Sequence, residues 1–75
     1  MKEIIELKDA RIVVESEPDG KVGLTLLING PNWPRRQVST VAIQGESWNV
    51  MAKVVLTQAD ATALTGAISM VLTIQ

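Results

Sequence analysis

The 75-residue chain has no cysteine, no histidine, no phenylalanine and no tyrosine. The first two absences remove much of catalysis at once. Ser-His-Asp and Cys-His nucleophile systems, thiol redox chemistry and zinc sites built on nitrogen or sulfur each need a side chain that is missing. No disulfide can brace the fold, and a cysteine-free chain fits a reducing compartment. Without Phe or Tyr, two tryptophans are the only rings, so a core here has to be made from Val, Ile, Leu and Ala.

Charge of one sign is lacking as well. Seven bases against eight acids leave a net charge of −1, too little for generic attraction to nucleic acid or anionic lipid. No stretch approaches the roughly 18 apolar residues of a membrane span. Met1-Lys2-Glu3-Ile4-Ile5-Glu6-Leu7 carries acids where a secretory leader needs an unbroken apolar run. These features predict a soluble, cytoplasmic protein with no membrane association.

What the chain does have is an apolar fraction of 47%, that of a folded globular protein. Its length predicts a single domain over residues 1–75. Domains this small usually add a disulfide, a metal or a partner subunit. With the first ruled out and no cysteine or histidine ligand for the second, the expected brace is self-association, and no cofactor is expected.

Alternation with period two runs through the first three quarters of the sequence. From Glu3 to Glu17 it changes phase: Ile5 and Leu7 share one parity, and Ala10, Ile12 and Val14 the other. Either a bulge near Lys8-Asp9 in one long strand or two short strands with a bend would reconcile them. Pro18-Asp19-Gly20 is turn chemistry and predicts a hairpin into Val22–Ile28, where Val22, Leu24, Leu26 and Ile28 share a face opposite Leu27. Residues 29–36 contain two prolines and a glycine and cannot be regular structure. Strand character resumes over residues 37–44, and Gly45-Glu46-Ser47 should turn the chain into a last strand.

That last strand, Trp48 to Leu56, places Trp48, Val50, Ala52, Val54 and Leu56 on one parity. It then passes into a helical pattern. Thr57 is suited to N-cap a helix starting at Gln58, with Asp60 three residues on at the position of a capping-box acid. Ala61, Leu64, Ile68, Val71 and Leu72 form a stripe that should face the sheet. A second row, Ala63, Ala67, Met70 and Ile74, makes the apolar surface too wide for one small sheet to cover and is the expected dimerisation surface. Gly66 would allow a close backbone approach. Residues 70–75 read equally as helix or as an extended tail. The predicted fold is α+β, an antiparallel sheet of about four strands with one C-terminal helix packed on one face, ββββα.

Few residues offer chemistry. Glu15, Glu17 and Asp19 cluster near the first hairpin turn, but acid–base catalysis needs a desolvated pair in a cleft and a turn is well hydrated. Gly20-Lys21-Val22-Gly23 leads into a strand, whereas a phosphate cradle leads into a helix. Neither reading suggests an enzyme or a metal site. The working surface is expected in the loop at Asn32, Trp33, Arg35 and Arg36, where a ring in a proline-stiffened segment adjoins two fork-shaped cations, the residue types most enriched at protein–protein hot spots; the other reading of Trp33 is a lid folded back over the open end of a ring-poor core. The leading expectation is a non-catalytic, homodimeric protein-binding module that occupies the surface of an unidentified partner protein. Phage- or plasmid-borne inhibitors and accessory proteins fall in this size class. The alternative is a nucleic-acid-binding domain in which Trp33 stacks a base while Arg35 and Arg36 hold phosphate, with Lys21 and Lys53 in support.

Overall fold

The phase change near the N-terminus is a complete reversal of the chain. In the computed structural model, which describes residues 1–29 and 39–74, strand β1 (Lys2–Glu6) pairs antiparallel with β2 (Ala10–Ser16). The turn between them is closed by the Leu7 N–H donating to the Ala10 carbonyl at 3.0 Å. The expectation of about four strands is corrected to five by this hairpin: of the two readings offered, two short strands is the right one, and their bend is a tight turn.

The remaining strands are β3 (Val22–Ile28), β4 (Thr40–Ile43) and β5 (Glu46–Leu56), and the chain ends in α1 (Gln58–Ile74). They form one curled antiparallel sheet in the order β1-β2-β3-β5-β4, so the architecture is α+β. Pro18–Gly20 makes the β2–β3 turn, with Asp19 and Gly20 both at positive φ. Gln44 and Gly45 (φ 52 and 84) link β4 to β5. Positive φ at both central positions is the type I′ geometry whose twist matches a hairpin. The turn therefore lies at Gln44-Gly45 rather than over residues 45–47, and Glu46 already belongs to β5.

The pairing register assigns every strand residue to one of two faces. The inner face, over which the sheet curls, carries Arg11 and Val13 from β2, Gly23, Thr25 and Leu27 from β3, Val41 and Ile43 from β4, and Trp48 and Val50 from β5. Leu27 is wholly buried there, Val13 and Trp48 nearly so, and Val41, Ile43 and Val50 pack around them. Each fully buried side chain of this kind contributes roughly 1.5–3 kcal/mol. The outer face carries Ile12, Val14, Val22, Leu24, Leu26, Ile28, Ala52, Val54 and Leu56. The alternation in β3 is as expected, but the parity of Val22, Leu24, Leu26 and Ile28 is the more open one: Leu26 is 38% exposed and the other three are half-buried, while Leu27 is 0% exposed.

A bulge explains why β5 departs from the simple alternation expected of it. Leu26 pairs with Ala52 and Leu27 with Val50, so Met51 is an extra residue on β5. Two residues facing one reverse the parity beyond that point. Trp48 and Val50 consequently enter the core, whereas Ala52, Val54 and Leu56 lie on the outer face.

Helix α1 begins where the capping signals place it. The Asp60 N–H donates to Thr57 Oγ1 at 3.1 Å, and the helix runs unbroken to Ile74, so residues 70–74 are helix and not an extended tail. Its relation to the sheet differs from expectation. None of its residues is buried, and only Ala61 is half-buried. Exposure of the stripe meant to face the sheet is 41% at Leu64, 54% at Ile68 and 66% at Leu72. The cause is the connection: β5 ends at Leu56 and α1 starts at Gln58, leaving Thr57 alone between them, whereas a helix that doubles back over its own sheet follows a loop of about two to six residues.

Candidate interaction surface

Among the described residues, two apolar surfaces stand out. The first is the outer sheet face, on which Glu3 is the one charged residue among the paired strand positions. Lys2, Glu6, Arg11, Glu15, Glu46 and Lys53 all lie on the opposite parity. A half-solvated antiparallel sheet normally puts its charges outward and its hydrocarbon inward. Here the charges share the curled side with the core, Arg11 opposite Leu27 and Lys53 opposite Thr25, and the hydrocarbon faces out.

The second surface is α1. After Asp60 it contains no charged residue through Ile74. Its threonines do not compensate, because the Thr62, Thr65 and Thr73 hydroxyls donate to the carbonyls of Gln58, Ala61 and Ser69, four residues back, at 2.8–2.9 Å. Ala63, Ala67, Met70 and Ile74, the predicted dimerisation row, are all exposed. A Cβ added at Gly66 would meet nothing within 4 Å, so the close approach expected there is not made among the described residues.

The two surfaces meet at the β2–β3 turn, where Gln58 Nε2 donates to the Gly20 carbonyl at 3.1 Å and pins the first turn of the helix. Beside this link lies an open groove of about 420 Å³, with Met1, Glu3, Val14, Val22, Lys21 and Gln58 among its walls. Its volume is that of a small-molecule site, but it is a notch in the outer surface rather than an enclosed cavity.

The acids near that turn behave differently from a hydrated cluster. The Glu17 side chain folds over Gly23, whose missing Cβ makes room for the carboxylate. Its Oε1 is buried, accepts no hydrogen bond, and lies 3.3 Å from Lys53 Nζ. The pair is electrostatic rather than hydrogen-bonded. Glu17 is therefore a seated structural acid, against the expectation of a solvated one. Among the described residues no three acids converge on a cation position.

Arg11 was not legible as a structural residue, yet it holds the inner face together. Its Nη1 donates to the Leu7 and Ala10 carbonyls at 2.9 and 2.7 Å, and its guanidinium carbon sits 4.5 Å from the centroid of the Trp48 ring. The available signal was parity, since Arg11 lies two residues before buried Val13. The predicted partner-binding residues Asn32, Trp33, Arg35 and Arg36 lie outside the described residues. Among the described residues, no helix is long and apolar enough to cross a membrane. No family model matches the chain, no curated protein is detectably similar to it, and no solved structure matches it.

Proposed function

We propose that the protein is a non-catalytic binding module that works as a homodimer and acts by occupying the surface of another protein. The observation that carries this reading is the inverted sheet. Among the described residues, nothing covers a helix uncharged beyond its first turn, and the most apolar sheet face is only half-buried or exposed. Monomeric proteins rarely expose contiguous apolar patches above a few hundred Å², and larger ones mark interaction sites. Self-association through α1 and the outer face leaves the loop of Asn32, Trp33, Arg35 and Arg36 as the proposed contact with a second protein. A nucleic-acid role draws less support, because Arg11 is engaged by Trp48 and Lys53 by Glu17.

Sedimentation at tens of micromolar tests the first half. A species of twice the 8.1 kDa chain mass is expected, and the single-chain mass throughout would end the homodimer reading. For the second half, affinity capture compares the parent with a Trp33→Ala, Arg35→Ala, Arg36→Ala variant. Equal capture of the same protein by both would remove the loop from the contact.

A further inference from the structure

We propose that two copies exchange their helices, α1 of each lying along the outer sheet face of the other. This inference rests on the self-association reading and specifies how it is achieved. It begins from area. A standard interface takes approximately 800 Å² from each partner, and among the described residues the large apolar side chains Leu26, Val54, Leu64, Ile68, Val71 and Leu72 stand 38–66% exposed on the sheet face and the helix.

The helix and the sheet face match each other in size and in chemistry. Seventeen helical residues span about 25 Å, and the seven-residue strands β2 and β3 span about 23 Å. Leu64, Ile68 and Leu72 form an uncharged row on the helix, and Leu24, Leu26 and Val54 an uncharged patch on the sheet. Burying either against a polar partner would leave that partner's groups unsatisfied, whereas burying one against the other strands nothing. The helix is kept from its own sheet by the single-residue connection at Thr57 and by the Gln58 link to Gly20. A second copy supplies the matching face without bending that connection. A two-fold arrangement repeats the contact reciprocally, so both surfaces of both chains are covered by one interface. Helix-to-helix pairing through Ala63, Ala67, Met70 and Ile74 alone would leave the sheet face open.

The absence of native cysteine makes a clean test available. Leu26→Cys and Ile68→Cys chains are prepared separately, checked for parent-like circular dichroism, mixed and oxidised, so that any mixed disulfide joins two molecules. Exchange predicts a dimer by sedimentation with the Leu26–Ile68 mixed cross-link as its dominant product. It also predicts that Leu26→Glu and Ile68→Glu each shift the population to the single-chain mass. A dimer that cross-links only through Ile68→Cys to itself would overturn the exchange and leave self-association standing. The single-chain mass at all concentrations would overturn both. Monomeric protein that co-floats with phosphatidylcholine vesicles would overturn the exchange in favour of a lipid surface.

Discussion

Arg11 joins a turn to the core, and replacing it by Met gives the sharpest test of how the inner face is held. Methionine keeps much of the stem but removes the guanidinium from the Trp48 ring, 4.5 Å away, and from the carbonyls of Leu7 and Ala10. A cation over a partly desolvated ring is worth about 1 kcal/mol. Hydrogen bonds from a charged donor contribute about 1.5–3 kcal/mol, with the lower figure fitting a single nitrogen shared between two carbonyls of a surface turn. The expected loss is about 2–3 kcal/mol, out of the roughly 4–11 kcal/mol available to a 75-residue domain. Urea titration read by Trp48 fluorescence, in a Trp33→Phe background and at one fixed protein concentration, should show the midpoint falling by about 1–2 M. A double-mutant cycle with Trp48→Leu, followed for all four chains by circular dichroism in urea because Trp48→Leu removes the fluorescence signal, isolates the ring contact, with a coupling energy of about 1 kcal/mol expected. If Arg11→Met stays within about 0.5 kcal/mol of the parent, or the cycle is additive, the cation is a bystander and the argument fails.

Three other substitutions probe separate links in the fold. Gly45→Ala should destabilise by about 1–2 kcal/mol through left-handed backbone strain alone, since its Cβ would meet open space, and Gly45→Asn should recover much of the loss in the same urea assay. Thr57→Ala removes the cap on the Asp60 amide and should cost about 1 kcal/mol, appearing as reduced ellipticity at 222 nm; an unchanged spectrum and melting curve would show the cap to be idle. Deleting Met51 restores simple alternation to β5 and forces either Trp48 out of the core or Val54 and Leu56 to the inner face. A red-shifted Trp48 emission with loss of cooperative unfolding is expected, and a parent-like spectrum would mean that the bulge is dispensable.

Much of the local structure could be read from the chain, and the misreadings have physical causes. Pro18-Asp19-Gly20 and Thr57 announced a turn and a cap because their side chains act on the neighbouring backbone. Leu7-Lys8-Asp9 did not, since that turn contains no glycine or proline and is closed by a backbone bond and by Arg11. The bulge at Met51 left no trace, because β5 has hydrocarbon on both parities and the period looks unbroken across it. The alternation placed Val22, Leu24, Leu26 and Ile28 on one face and Leu27 on the other, but period two alone does not say which of the two faces the chain buries. The row of Ala63, Ala67, Met70 and Ile74 did signal a surplus, but the surplus proved to include the stripe beside it and the sheet face as well.

The single-residue junction at Thr57 also bears on how the chain unfolds. A 17-residue helix that draws almost nothing from tertiary contact stands near the limit at which an isolated helix persists in water. In a lone chain, the amides of α1 would therefore exchange with solvent by local helix opening, while those of β2 and β3 would wait for global unfolding, giving two cooperative units within 75 residues. Seating the helix on another surface would merge them, so the slow-exchanging set would grow with protein concentration.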